Sequence, residues 1–241
     1  MLANVPENTR ESFKVILAWI PHAITVSGLV LAQFSIYYIL QSQWRTALFL
    51  MAFSVVADSI DGTLARRLNT AKLIPHINGH LMDSITDYVI YVIVPTIYIY
   101  NSQIIPTSYL PIILPLIFVS SLYQFSHINS KTTDNYFRGF PSYWNIYVLY
   151  MEVLSFQSET NLIILLILLV LIYVPVKYYY PSRTKRHGGL VLSISVFWGL
   201  SGFILIYLYP NPQPYALYTM MFCSLVYITL TITDAFSKAD K

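Results

Sequence analysis

Charged residues and cysteine are scarce in this 241-residue chain. Only 10% of the residues are charged, whereas 56% are apolar and 16% are aromatic, a balance that excludes an ordinary soluble domain. Because Cys223 is the one cysteine, the chain can form no internal disulfide, and packing is the expected role of this residue. The sequence also has no internal repeat, no low-complexity linker and no pattern of a cleaved signal peptide. We therefore predict one domain over residues 1–241.

Several apolar runs approach the roughly 20 residues that a helix needs to cross a bilayer. They predict an all-α fold, a polytopic membrane bundle of eight transmembrane helices, or of seven because the fifth run is short. The predicted spans are residues 23–40, 44–64, 79–99, 107–127, 143–156, 162–178, 190–209 and 215–236. Residues 10–20 predict an N-terminal interfacial helix on the membrane surface, with Pro21 at the bend into the first span.

The basic residues predict the orientation of these spans. With the N-terminus in the cytoplasm, thirteen of the 14 lysines and arginines lie on the cytoplasmic side and Arg45 alone lies outside, as the positive-inside rule favours. The thirteen are Arg10, Lys14, Arg66, Arg67, Lys72, Lys131, Arg138, Lys177, Arg183, Lys185, Arg186, Lys238 and Lys241. The net charge of +3 indicates attraction to anionic lipid headgroups rather than to nucleic acid.

Four aspartates interrupt the apolar runs. Asp58 and Asp61 lie in the stretch D-S-I-D-G-T-L-A-R, and Asp83 and Asp87 lie in G-H-L-M-D-S-I-T-D. Because residues three and four apart share a helix face, each pair forms one stripe. Four carboxylates crowded near a membrane repel one another unless a cation lies between them, and hard divalent cations prefer oxygen ligands. The pattern predicts a metal-dependent enzyme.

The two stretches resemble the signature of the CDP-alcohol phosphatidyltransferase family, D-x-x-D-G-x-x-A-R followed by G-x-x-x-D-x-x-x-D. Every fixed position is matched, namely Asp58, Asp61, Gly62, Ala65, Arg66, Gly79, Asp83 and Asp87, which makes the resemblance specific. The spacer, residues 67–78, is longer than in most members and is similar to that of the bacterial branch that uses free choline. The segment 18–28 also resembles this branch.

The resemblance implies transfer of a phosphatidyl group from CDP-diacylglycerol to choline at the inner membrane of a bacterium, with the active site facing the cytoplasm. It implies Mg²⁺ or Mn²⁺, two ions per site, held by Asp58, Asp61, Asp83 and Asp87, and it implies a homodimer. The last of these aspartates, Asp87, is the expected general base. The expected donor site consists of Gly62, Ala65 and Gly79 for the cytidine, with Asp58 nearby, and of Arg66 for the diphosphate.

Two further blocks of sequence lie between the predicted spans. Residues 131–145 resemble the same branch, and aromatic rings there predict a choline site because rings hold quaternary ammonium groups. The candidates are Asp134, Tyr136, Phe137, Tyr143, Trp144, Asn145 and, within the fifth span, Glu152; an interfacial aromatic belt is the alternative. Residues 177–186 are basic, and we predict contacts of Lys177 and Arg183 with the donor's phosphates; a signal for membrane topology is the alternative.

Two other functions compete with choline transfer. Serine as the acceptor alcohol would make the protein a phosphatidylserine synthase, with the same metal chemistry. An ion-coupled transporter would also place carboxylates within membrane helices. Transporters, however, favour sites at the bilayer midplane between repeated halves, and the sequence has neither arrangement.

Overall fold

The computed structural model describes residues 7–181, 183–184 and 186–237. The predicted positions of Lys185, Lys238 and Lys241 lie outside these residues. The regular structure of the described chain is almost entirely helical. The exception is a two-stranded sheet, whose first strand follows the sixth helix and whose second strand follows the eighth. The helices are α1 (Glu7–Leu40), α2 (Trp44–Leu68), α3 (Thr70–Leu73), α4 (Gly79–Tyr88), α5 (Val94–Ser102), α6 (Leu110–Ser126), α7 (Trp144–Leu154), α8 (Ser158–Tyr173), α9 (Gly188–Leu208) and α10 (Pro214–Ser237); the strands are β1 (Tyr136–Arg138) and β2 (Lys177–Tyr179).

Six helical segments of the described chain are long and apolar enough to cross a membrane. One of them runs without interruption through α4, a π-helical turn at Val89–Ile93, and α5. By contrast, α7 has 11 residues, which span about 16 Å at 1.5 Å per residue and cannot cross a hydrocarbon core of about 30 Å. The 16 residues of α8 also form a shorter apolar helix. The predicted polytopic helical fold is confirmed, whereas the count of eight spans is not exact.

The N-terminal region differs from its prediction. Residues 10–20 do not form a separate surface helix, because α1 continues from Glu7 to Leu40 and Pro21 lies inside it. A proline removes one helical hydrogen bond but does not end a helix whose two flanks both favour helical structure. Thr25 lies one turn after Pro21, and its hydroxyl donates a 3.1 Å hydrogen bond to the carbonyl oxygen of Pro21. The predicted bend is therefore corrected to a continuous helix.

Small residues let α1 and α2 approach closely. A Cβ atom added to Gly28 would lie 3.4 Å from the Cβ atom of Ala57, so the helices touch at van der Waals distance there. Ser35 on α1 donates a hydrogen bond of 2.9 Å to the carbonyl oxygen of Ala47 on α2. These contacts fix the position of the part of α2 that carries its two aspartates.

The strands β1 and β2, which α7 and α8 separate in sequence, form an antiparallel pair in which Phe137 lies opposite Tyr178. Gly139 follows β1 with a φ angle of +76°, and a Cβ atom there would lie 2.3 Å from the carbonyl oxygen of Ile172 on α8. Only glycine fits this position without strain. The prediction of a span over residues 162–178 missed this sheet, because apolar residues at a helix end can equally form a strand.

The bundle has two distinct ends. Asp58 and Asp87 lie at one end, which we call the carboxylate end. Trp44, Glu152 and Tyr209 line a common cavity at the other end, which we call the opposite end. The helical rise from Trp44 to Asp58 is about 21 Å, so most of a bilayer core separates the two.

Candidate active site

Three aspartates from two helices come together at the carboxylate end. Asp58 lies on α2, and Asp83 and Asp87 lie one turn apart on α4. One carboxylate oxygen from each lies within 4.8 Å of the other two, and all three side chains are half-buried. The four-residue spacing of Asp83 and Asp87 therefore directs both carboxylates towards Asp58 on the facing helix.

Asp61 occupies a different position from the other three. Its side chain is buried, with 2% of its surface exposed, and one carboxylate oxygen accepts a short hydrogen bond from the hydroxyl of Thr25 on α1. Asp61 is not part of the group of three. The structure thus brings together three of the four predicted metal ligands and leaves the fourth one helical turn away, facing α1.

The donor set fits a divalent cation. The Oδ1 atoms of Asp61 and Asp87 are buried, and neither has a hydrogen-bond partner among the described residues. An unpaired buried carboxylate oxygen costs free energy that a bound cation would offset. Carboxylate oxygens are the ligands that Mg²⁺ and Mn²⁺ prefer. Asp58, Asp83 and Asp87 are thus the residues that could hold the first ion, with Asp61 beside them.

Tyr91 joins this aspartate group to a set of aromatic rings. Its hydroxyl donates a hydrogen bond of 2.7 Å to Oδ2 of Asp58, and its ring centroid lies 5.1 Å from that of Tyr143. The sequence analysis missed Tyr91, although the residue follows Asp87 by one helical turn. It also lies in the π-helical turn, a feature that is frequent at functional sites.

The rings continue from Tyr143 through the strands. The centroid of Phe137 lies 5.9 Å from that of Tyr143, and Phe137 stacks on Tyr180 at 4.6 Å. The guanidinium of Arg183 lies 4.9 Å above the ring of Tyr180. We call Tyr91, Tyr143, Phe137 and Tyr180 the aromatic cluster. Two of its members, Phe137 and Tyr143, were predicted for choline, whereas Tyr91 and Tyr180 were not.

Two other predicted choline residues have partners in the protein core. The ring of Trp144 is fully buried, and its Nε1 donates a 2.8 Å hydrogen bond to Oγ of Ser121. Tyr136 is 3% exposed, and its hydroxyl lies 3.2 Å from Oδ2 of Asp234 on α10. Asn145, which was also predicted, has a buried Oδ1 atom without a hydrogen-bond partner among the described residues. Trp144 and Tyr136 therefore already serve packing.

Asp234 fastens α10 to the strand pair. Tyr179 on β2 donates a 2.5 Å hydrogen bond to Oδ2 of Asp234, and Arg186 forms a 3.0 Å ion pair with Oδ1. Burial raises the pKa of Tyr179, and the hydrogen bond to Asp234 raises it further, so the hydroxyl stays protonated as the donor. The sequence analysis assigned Asp234 no role, because its partners lie far from it along the chain.

Lys177 and Asp134 form an ion pair across the strand region. Their nitrogen and oxygen atoms are 2.9 Å apart, and the two side chains are 39% and 37% exposed. The ammonium of Lys177 also lies 5.8 Å from the ring centroid of Tyr136. The structure thus pairs a residue predicted for the donor's phosphates with the acid predicted for choline.

Other basic groups surround the aspartates. The side chains of Lys131, His80 and Arg183 lie close enough to act electrostatically on Asp83. Arg66 is exposed and donates a 3.0 Å hydrogen bond to the hydroxyl of Thr63. Lys131 was not predicted for this site, because a loop residue so far from Asp83 along the chain gives no sign of this proximity.

The small residues of the motif allow close approach. A Cβ atom on Gly62 would lie 3.3 Å from Nη1 of Arg66, and one on Gly79 would lie 3.0 Å from Cε1 of His22. His22 on α1 is 7% exposed, and its Nε2 atom has no hydrogen-bond partner among the described residues. Ala65 is half-buried on α2, between Gly62 and Arg66 in sequence. His22, like Tyr91, was not predicted for this region from the sequence.

The structure separates Glu152 from this site, which corrects its predicted place in the choline pocket. Glu152 accepts a 2.9 Å hydrogen bond from the hydroxyl of Tyr209 and lines the cavity at the opposite end. The prediction failed because α7 begins at the carboxylate end with Trp144, and two helical turns carry Glu152 about 12 Å away from that end.

Membrane-length helices with an oxygen-rich aspartate group at one end define a polytopic membrane protein with a candidate divalent-metal centre. The family model for CDP-alcohol phosphatidyltransferases matches residues 18–226, a region that contains both aspartate pairs. The protein belongs to this family and is an enzyme.

Similar proteins share one name. The phosphatidylcholine synthase of Borreliella burgdorferi is 40% identical over 186 residues, which are 77% of this chain and 80% of the relative. That of Legionella bozemanae is 41% identical over 185 residues, covering 74% of this chain and 85% of the relative. That of Pseudomonas aeruginosa is 34% identical over 197 residues, covering 82% and 83%. The family resemblance predicted from the motif is confirmed.

Proposed function

We propose that this protein is a phosphatidylcholine synthase, which transfers the phosphatidyl group of CDP-diacylglycerol to free choline and releases CMP. The observation that carries the proposal is the link through Tyr91, which donates a hydrogen bond to Asp58 and packs against Tyr143. This link puts carboxylates suited to a metal-bound phosphate next to rings suited to a quaternary ammonium group. The shared name of the similar proteins supports the same acceptor.

In this proposal the four aspartates hold two Mg²⁺ or Mn²⁺ ions, with Asp58, Asp83 and Asp87 closest together. When bound, such ions polarise phosphoryl oxygens and stabilise the departing nucleotide. Asp87 accepts the proton of choline's hydroxyl as that oxygen forms a bond to the lipid-side phosphorus. The bond from this phosphorus to the oxygen of CMP then breaks, and CMP leaves with the electron pair.

The aromatic cluster binds the ammonium end of choline in this proposal. A quaternary ammonium group offers no conventional hydrogen-bond donor, so ring faces are its natural partners. Tyr143 and Phe137 lie near the aspartates through Tyr91, whereas Trp144 is fully buried with Ser121 as its partner. We therefore assign choline to the cluster and assign Trp144 to packing.

The donor's headgroup binds beside the motif's small residues. Gly62 and Gly79 let other groups approach the helix backbone, as a nucleotide base requires. Arg66 and Arg183 supply planar guanidinium groups for the diphosphate. Lys177 stays a weaker candidate, because its ammonium pairs with Asp134.

The carboxylate end faces the cytoplasm in this proposal. Arg66, Lys131 and Arg183 belong to this end, whereas Arg45 adjoins Trp44 at the opposite end, and such a distribution supports an inside location for the former. CDP-diacylglycerol is also made available on that side. The inner membrane as the location and a homodimer as the assembly stay predictions from the family resemblance.

An acceptor panel tests the function. Purified protein receives CDP-diacylglycerol and Mg²⁺ or Mn²⁺ together with choline, serine, inositol or glycerol phosphate, and CMP release is measured. We expect CMP release with choline and a loss of it when a chelator removes the metal. Release with serine and not with choline would instead establish a phosphatidylserine synthase. The ion-coupled transporter is contradicted by membership in an enzyme family.

A further inference from the structure

A polar cavity lies at the opposite end of the bundle. Its volume is about 320 Å³, which is at the lower end of the roughly 300–1,000 Å³ of small-molecule sites. The lining residues come from four parts of the chain that adjoin helix ends, so several helices build the cavity together. Glu152 of α7 and Asn161 of α8 are two of them.

The cavity is separate from the candidate active site. Trp44, at the start of α2, lines it, and the same helix rises about 21 Å before it reaches Asp58. A molecule in this cavity therefore touches none of the aspartate group. It would enter from the side of the membrane that the proposed catalysis does not use.

The polar atoms of the cavity are mainly acceptors. Glu152 is the one carboxylate among the lining residues of the described structure, and no lysine, arginine or histidine lines the cavity. Asn161 is 98% buried, since only 2% of its surface is exposed, and its Oδ1 atom has no hydrogen-bond partner among the described residues. Its Nδ2 atom donates a 2.8 Å hydrogen bond to the carbonyl oxygen of Ile104. The same nitrogen donates a second, 3.4 Å hydrogen bond to the carbonyl oxygen of Phe156. The two bonds use both N–H groups of the amide and leave its acceptor oxygen free.

Two further features suit a positively charged ligand. The Oγ atom of Ser102, which also lines the cavity, is buried without a hydrogen-bond partner among the described residues. Trp44 and Phe156 add aromatic surface to the wall, which attracts cations. The nearest basic side chain in sequence, Arg45, lies with its guanidinium 5.1 Å from the ring of Tyr207. The lining thus combines one acid, the two free acceptors and, with Tyr209, three rings, and it includes no basic side chain.

We propose that this cavity binds a small organic cation of the alkylammonium class. Glu152 supplies the opposite charge, with its carboxylate oriented by the hydroxyl of Tyr209 at 2.9 Å. Asn161 and Ser102 supply hydrogen-bond acceptors for ligands that carry N–H groups. A half-buried single carboxylate gains most from a monovalent cation, because a single positive charge offsets it fully.

Protection of a single cysteine from labelling tests this proposal. The full-length protein carries Cys223→Ser, which removes the one native thiol, and Ser158→Cys, which puts a thiol on the cavity wall. Membrane vesicles receive a membrane-impermeant maleimide with increasing tetramethylammonium or methylammonium. We expect labelling to slow about tenfold when the cation concentration is about ten times its Kd. The uncharged carbon isostere of tetramethylammonium is expected to give no protection.

Substitution of two acids on neighbouring helices tests whether the charge of Glu152 causes the protection from labelling. Glu152→Gln is expected to raise the concentration needed for protection by about tenfold or more, because a charge-assisted contact is lost. Glu159→Gln is the control, because Glu159 is an exposed acid at the start of α8 that is not among the lining residues. Equal protection in both variants, protection by the uncharged isostere, or no protection by either cation would overturn the proposal. Since no transfer reaction is measured, the result is independent of the proposed catalytic function.

Discussion

At the carboxylate end of the bundle, three aspartate oxygens lie within 4.8 Å of one another, whereas at the opposite end Glu152 is the single acid of its cavity. Three neighbouring negative charges repel strongly, and the hydrogen bond that Tyr91 donates to Asp58 offsets only part of that repulsion. A single carboxylate is offset by one hydrogen bond and one monovalent cation. The difference indicates that divalent ions suit the carboxylate end and that the single acid of the opposite end does not require them.

The two ends also differ in how they are enclosed. The strand pair and the last helix are joined at the carboxylate end through Asp234, which accepts hydrogen bonds from Tyr136 and Tyr179. At the opposite end, short turns such as the one between α1 and α2 connect the helices directly. Additional structure thus surrounds the end where the chemistry is proposed, and this permits more side chains to contact a substrate there.

The largest expected effect comes from neutralising one aspartate of the group. Asp58→Asn keeps the size of the side chain but removes its charge, so we expect CMP release to fall about a thousandfold. The matched change at the opposite end is Glu159→Gln. Because Glu159 is an exposed acid, this change is expected to leave turnover unchanged. Thermal unfolding of both variants checks that the fold is retained. Turnover of the Asp58 variant close to that of the unmodified protein would refute the assignment.

A second effect, on stability, tests how the strand pair is held at the carboxylate end. In Gly139→Ala the new methyl group would lie 2.3 Å from the carbonyl oxygen of Ile172, at a φ angle of +76°. We expect a loss of about 2–4 kcal/mol in the free energy of unfolding, measured by denaturant titration in detergent. Gly199→Ala on α9 is the control, since nothing lies within 4 Å of its added Cβ atom, and it is expected to gain about 0.5–1 kcal/mol. Equal stability of the two variants would contradict the close contact.

The link between the aspartates and the aromatic cluster can be broken by removing one hydroxyl. Tyr91→Phe loses the 2.7 Å hydrogen bond to Asp58, and bonds to charged groups are worth about 1.5–3 kcal/mol, so kcat is expected to fall about tenfold to a hundredfold. Tyr100→Phe, an exposed position on α5, removes a hydroxyl from the same helical segment and is expected to keep full activity. If kcat were the same in the two variants, Tyr91 would have no role in the site.

The metal motif was the part of the site that sequence reasoning predicted best. Helical periodicity places Asp58, Asp83 and Asp87 on facing stripes, and both helices formed as expected. Periodicity does not state how a helix is rotated against a third one, which is why Asp61 turned out to face Thr25 on α1. The burial and partners of such residues depend on tertiary packing and not on local spacing.

Other parts of the molecule lay beyond sequence reasoning for separate physical reasons. The six long helices follow from hydropathy. The bounds of α7 and the presence of β2 depend instead on where an apolar run stops being helical. Tertiary contacts decide where the run stops, such as the close contact of Gly139 with α8. Glu152 was misplaced because hydropathy gives no depth within the membrane. Tyr91, one helical turn after Asp87, was missed because helical spacing alone does not distinguish a tyrosine that bonds a carboxylate from the others among the 21 tyrosines.

The smallest predicted effect separates the acceptor from the donor at the carboxylate end. Tyr143→Ala removes the central ring of the aromatic cluster, and since a desolvated cation–ring contact is worth about 1–2 kcal/mol, the KM for choline is expected to rise about tenfold. The KM for CDP-diacylglycerol is expected to stay the same, because that substrate carries no quaternary ammonium group. Tyr218→Ala, at a 68% exposed position on α10, is the control for the loss of any tyrosine. A parallel rise of both KM values would mean that Tyr143 serves packing, and the choline site would then have to be sought among other residues of this end.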